Sequence, residues 1–222
     1  INMKNALKNF KLSSINRYAG ILIAAAIMTF AFQSCSKESI DPTATASYKV
    51  LNANMRKLWS DHMQWTYSTV DAFFNNPDGL NGPLNRLLQN QKDIGAAIIP
   101  YYGEDAGGQL TKLLTDHITG AVPVLTAAKE GNNEALTTAL NDWYKNAQDI
   151  ADFLANANPN WKQEDMRHMM KTHIDQTTEY AVDLLQKDYS KAIKVFDEAN
   201  EHMLMMADDL SEGIAKQFPE KF

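Results

Sequence analysis

The chain has 222 residues, 45% of them hydrophobic and 22% charged, with a single cysteine. One cysteine excludes an internal disulfide framework and any zinc site built from several thiolates. Four positives (Lys4, Lys8, Lys11, Arg17) and no acid fall in residues 1–34, so of 21 Lys and Arg the rest of the chain keeps 17 against all 27 Asp and Glu, a net of −10. A body that acidic repels phosphate backbones, which argues against nucleic acid as a partner.

Residues 1–34 read as a signal peptide, with Met3 as the expected initiator. The basic stretch Lys4–Arg17 precedes an apolar run from Ala19 to Phe32. That order is the n-region and h-region of a secretory signal. Fourteen helical residues span about 21 Å, short of the ~30 Å hydrocarbon core, so cleavage is expected rather than a permanent span. The segment Phe32-Gln33-Ser34-Cys35-Ser36 follows at once. It resembles the lipobox of Bacteroidota lipoproteins, in which a small residue stands just before the cysteine that is lipidated. Phe32 and Gln33 depart from the stricter bacterial pattern. The resemblance implies lipidation of Cys35 and anchoring in the cell envelope, with the outer membrane as the expected site. Several acyl chains on one residue would anchor stably where one is marginal. The alternative is ordinary signal cleavage that leaves a free thiol. Residues 35–47, small and polar after Cys35, read as a flexible tether, and residues 48–222 as the folded domain.

The domain shows helical period in almost every segment and no sustained strand alternation, which predicts an all-α fold. A first helix over about 47–75 places Leu51, Met55, Leu58, His62, Trp65, Thr69 and Ala72 on one seam. Asn75-Asn-Pro-Asp-Gly79 should stop it. A shorter helical segment follows Pro83, with Leu84, Leu87, Leu88, Ile94 and Ile98 inward, and ends at Pro100-Tyr-Tyr-Gly103. Within it, the polar stretch Arg86–Gly95 reads as a solvated kink or as amides lining a cleft. A helix over about 104–129 carries His117 on its apolar stripe, and Pro123 should kink it. Helices over about 133–157, 162–186 and 189–217 follow. Their inward residues include Trp143, then Met166, Met170, His173 and Thr177, then Ile193, Met203 and Leu210. Asn160 is the expected cap of the fourth long helix. Short polar connections make neighbours run opposite ways, so an antiparallel bundle of five long helices plus one short helical segment is expected.

Three histidines, His62, His117 and His173, lie on inward stripes and near the midpoints of their helices. In an up-and-down bundle, midpoints share one level, so these imidazoles should meet in a central layer. Three imidazoles with an open position suit one divalent metal, zinc or iron. Asp61, Asp116 or Asp142 would then orient a ring through its second nitrogen. The alternative is that all three are core histidines satisfied by neighbouring polar groups. No Glu-x-x-His occurs, nor a His-x-x-x-Glu pair, nor Cys-x-x-Cys-His, so ferritin-like, haemerythrin-like and covalent haem sites are excluded. The core methionines read as gap-filling packing rather than haem ligands. No Gly-rich phosphate loop and no nucleophile elbow is present.

Several phrases also resemble an uncharacterised group of bacterial all-helical proteins. They are Leu58-Trp-x-x-His62-x-x-Trp-Thr66, Ile94-Gly, Tyr102-Gly103, His117, Trp143-Tyr-x-Asn146, Asn158-Pro-Asn-Trp161, His173 and Gln217-Phe-Pro219. The resemblance implies a helical bundle and transfers no activity. A lipid anchor here departs from the unanchored members of that group. The role expected is that of an envelope lipoprotein binding a protein or small-molecule partner, with metal binding or metal-dependent catalysis as the alternative.

Overall fold

The computed structural model describes residues 41–222. The signal peptide expected over 1–34, Cys35 and the first part of the tether lie outside the described residues. Among the described residues there are five α-helices, three short 3₁₀ turns and no strand. The fold is therefore all-α. None of these helices is long and apolar enough to cross a membrane.

Folded structure begins inside the stretch read as tether. Asp41 accepts from the Thr43 backbone N–H at 2.9 Å and starts a 3₁₀ turn, Pro42–Ala44. Thr45 then caps α1 (Ala46–Asn75) by accepting from Tyr48 N–H at 3.1 Å. An Asp-Pro pair followed by Thr is a helix-start signature, and the turn packs against α1 and α5.

The second helix, α2 (Asn81–Glu130), has one residue with non-helical backbone angles, Gly103 at φ 84° and ψ 170°. Only glycine takes that combination at no steric cost. The two arms, 81–102 and 104–130, fold back on each other there. Twelve residues of continuous helix would hold Gly95 and Gly107 about 18 Å apart, yet a Cβ built on Gly95 would lie 2.6 Å from the Gly107 carbonyl oxygen. The two glycines let the arms meet backbone to backbone. Pro123, expected to kink the second arm, is accommodated with helical angles. The helix ends at Gly131, which takes the left-handed conformation at φ 67°.

Asn132 caps α3 (Asn133–Ala157) by accepting from Ala135 N–H at 3.1 Å. The link to α4 (Gln163–Leu185) is organised by Asn158, which is fully buried. Its side-chain oxygen Oδ1 accepts from Asn160 N–H, while its side-chain amide nitrogen donates to the Tyr102 hydroxyl, and both bonds are 2.9 Å. Asn160 is thereby used in the turn and does not cap α4. The cap position is Lys162, with no side-chain bond. Asp188 caps α5 (Tyr189–Gln217).

In space α1 packs against α2 and α5, α3 against α2 and α4, and α4 against α5, which closes a ring of neighbours; α1 also touches α4 across it. The core between them holds Met55, Met63, Ile94, Leu114, Ile150, Ile174, Met203 and Ile214, all essentially inaccessible to water. Each such side chain contributes about 1.5–3 kcal/mol of transfer free energy.

Candidate functional site

His62 on α1, His117 on the second arm of α2 and His173 on α4 are buried, each with at most 2% exposure. The structure brings the three rings together, with His173 in the middle. Its ring centroid lies 5.6 Å from that of His62 and 5.6 Å from that of His117. Trp143 of α3 stacks on the outer face of the cluster, 5.2 Å from the His117 ring, and its indole N–H donates to the His117 carbonyl at 2.9 Å. The remaining histidines lie apart from this group. His168 is exposed. His202 is half-buried, and its Nε2 is 2.9 Å from the Met169 carbonyl, to which it donates.

Amides, not carboxylates, orient two of the rings. Asn146 donates from its amide nitrogen to the Leu113 carbonyl at 3.2 Å, which turns its oxygen toward His117 Nδ1 at 2.8 Å. An amide oxygen only accepts, so the hydrogen of neutral His117 sits on Nδ1 and Nε2 carries a lone pair. Gln91 is fixed by a 2.7 Å bond from its amide nitrogen to the Leu87 carbonyl. Its nitrogen also lies 3.3 Å from His62 Nδ1.

The aspartates expected behind the rings are engaged elsewhere. Asp61 pairs with Lys57 at 2.6 Å and Arg86 at 3.2 Å. Asp116 pairs with Lys112 at 2.6 Å, and Asp142 is exposed. Each stands one residue before an inward-facing residue, or before the histidine itself, and one step turns a helical side chain by about 100°, away from the core. Among the described residues no group of three or more His, Cys, Asp or Glu side chains is arranged to hold a metal ion.

Burial controls the charge of the cluster. Loss of water pushes the His62 imidazole down to about 3, with repulsion from His117 adding to it. His117 is pushed down to about 4, again by burial, against which the Asn146 bond acts. His173, buried between the other two, is held well below the ordinary imidazole range for the same reason. All three rings are uncharged at neutral pH, and their free nitrogens act as neutral donors and acceptors.

Beside the cluster lies a cavity of about 240 Å³. All three histidines line it, together with Trp143, four threonines (Thr66, Thr69, Thr177, Thr178) and otherwise only apolar side chains. Val122 and Val182, 44% and 39% exposed, belong to its wall and bring it to the surface. Thr66 and Thr69 spend their hydroxyls on the carbonyls of His62 and Trp65 at 2.7 Å. His117 Nε2, His173 Nδ1 and Thr178 Oγ1, on lining residues, are buried without a partner and present no surface to the cavity, whose accessible wall is almost wholly apolar.

Gln91 and Asn90 belong to the polar stretch Arg86–Gly95, and both are fully buried, which departs from a solvated kink there. Their position was the available signal, since 87, 91, 94 and 98 follow helical spacing and place Gln91 on the apolar stripe. No protein family, curated protein or solved structure matches this chain.

Proposed function

We propose that this chain is an envelope lipoprotein, anchored through Cys35, whose antiparallel helical bundle binds a small, largely apolar ligand in the cavity beside His62, His117 and His173. In this reading the short segment of the bundle is the first arm of α2, and the short connections turn each helix back along its neighbour. The cavity carries the proposal. An apolar space of about 150 Å³ suffices for benzene, and this one, at about 240 Å³, has room for more. Ligand sites are typically such concave apolar spaces with a few converging polar groups. The anchor is supported by the basic and apolar order of residues 4–32 and by the small residue before Cys35.

The ligand reading is tested with N-phenyl-1-naphthylamine, a neutral fluorophore that brightens in apolar surroundings. The full chain carrying Cys35→Ser should bind one equivalent saturably. Ala181→Phe or Ala121→Phe, which fill the cavity from α4 and α2, should abolish binding. Fluorescence that never saturates, or that is unchanged from the parent in both filled variants, overturns the reading. The anchor is tested by mass spectrometry of the mature N-terminus, where a diacylglyceryl group on Cys35 is expected. Unacylated protein in the cytoplasmic fraction refutes it.

A further inference from the structure

Three stretches of helix that run the same way bound the cavity. Its lining extends from His62 to Phe74 on α1, from His117 to Ala128 on α2 and from His173 to Val182 on α4. Beyond the far ends, Lys129 donates to the Phe73 carbonyl and Asn75 to that of Leu184, both at 3.3 Å, so the stretches stay side by side. At 1.5 Å of rise per residue they measure about 18, 16 and 14 Å. The two ends differ. Buried His62, His117, His173 and Trp143 close the first. Toward the second, Phe74, Leu80 and Leu136 are half-buried and Val122 and Val182 are exposed, so the space opens to water there. No Lys, Arg, Asp or Glu is among the lining residues, and the accessible wall is almost wholly apolar.

An occupant that touches both ends gives up about 3.5–4 Å of that length at each, which leaves roughly 6–11 Å between its terminal carbons. Tetrahedral carbons about 1.5 Å apart advance about 1.25 Å per bond, so an extended chain of about six to ten carbons fits. The volume agrees. A space of about 150 Å³ holds the six carbons of benzene, and on that scale 240 Å³ holds about ten. A polar group drawn inside would lose its water and meet no accessible partner, whereas at the open end it stays hydrated. We infer that the cavity takes the hydrocarbon tail of a single-chain amphiphile, about eight to ten carbons long, with its methyl end against the histidines and its head group in water beyond Val122 and Val182. The histidine layer then sets the length of chain that can be buried.

This inference rests on the cavity being a ligand site, and the experiment separates the two. Titration calorimetry measures n-alkyl maltosides of six to fourteen carbons, each below its critical micelle concentration, on the full chain carrying Cys35→Ser. Maltose is too large and too polar to enter, so binding reports a tail alone. Affinity should rise about three- to fourfold for each added carbon up to about ten and then level off. A hydroxyl on the far end of the decyl chain should weaken binding at least about fivefold, because it is buried without a partner. Ala121→Leu, which adds bulk one turn from His117, should bring the break about two carbons earlier. If affinity climbs without a break through fourteen carbons, or if butylbenzene binds and no maltoside does, the tail inference is wrong and the cavity reading survives. If N-phenyl-1-naphthylamine itself never saturates, both fall. The series on the parent chain needs no variant, so a poorly folded substitution does not blunt it.

Discussion

The clearest consequence of three neutral buried imidazoles is an acid-sensitive fold. In the unfolded chain each takes up a proton around pH 6.5, whereas His62 in the fold does so only near pH 3. Between those values the unfolded state binds one more proton per histidine. Stability is therefore complete above pH 6.5 and falls as the pH drops toward the folded value. The slope is about 1.4 kcal/mol per pH unit for each group, so His62 or His117 alone costs about 2 kcal/mol at pH 5 and the two together ~4 kcal/mol, with His173 acting in the same direction. A domain typically has 5–15 kcal/mol in total. The assay is urea unfolding at pH 7.5 and pH 5.0, on the parent chain and on His62→Leu. Loss of the ring leaves the Gln91 amide its bonds to Leu87 and Asn90. Carboxylate titrations are common to both proteins and cancel, so the drop in the variant should be smaller by about 2 kcal/mol. An equal drop in both would mean that His62 titrates normally in the fold, and the desolvated cluster would be refuted.

Two further outcomes follow from the same geometry. Alanine in place of a mid-helix glycine ordinarily stabilises by up to about 1 kcal/mol, but here the sign should reverse at two sites. A Cβ at Gly95 meets the Gly107 carbonyl at 2.6 Å, and one at Gly213 meets the Trp161 ring, with Cδ1 at 2.6 Å. Gly95→Ala and Gly213→Ala should each lower stability by about 1–3 kcal/mol in urea unfolding, while Gly108→Ala, with open space at its Cβ, should not. Zinc or iron(II) added to apo protein and then removed by chelator should leave the melting temperature unchanged. One tightly held equivalent that disappears in His173→Leu would establish the metal reading instead.

Helix ends are largely legible in the sequence, because they are written in local chemistry. Asn-Pro-Asp-Gly after α1, Gly131 after α2 and Asp188 before α5 act on the residues beside them. The buried faces are less so. On α1 the single heptad seam finds Leu51, Met55, His62, Thr69 and Ala72, which are buried, but it selects the half-buried Leu58 and Trp65 and omits Trp59, Met63, Thr66 and Val70, which are buried too. The reason is that α1 meets α2, α4 and α5 and buries more than one stripe. Ile193 shows the opposite error: it is apolar and in phase, and it is 52% exposed on α5. The histidines could be found because each is a polar residue at an apolar phase of its own helix. Their partners could not be assigned. Whether Asp61 or Gln91 meets His62 depends on the packing of two helices, and Asp61, adjacent in sequence, points toward Arg86 instead. The cavity has no local signature, since it is a volume that side chains from four helices leave unfilled.

The two ends of the domain are packed differently. Around Met55, Ile94, Ile98 and Leu154 the core is apolar, and the Trp59 indole N–H is buried there without a partner. At the histidine end, His117 Nε2 and His173 Nδ1 stand unpaired and present no surface to the cavity beside them. Each costs about 1–3 kcal/mol when left alone. Deep apolar burial keeps the rings neutral, and neutrality preserves the His117 lone pair that a cationic ring would lose. The same burial that weakens the fold in acid thus keeps the wall of the cavity free of charge at neutral pH. An apolar occupant therefore meets no buried charge and stabilises the fold in proportion to its occupancy.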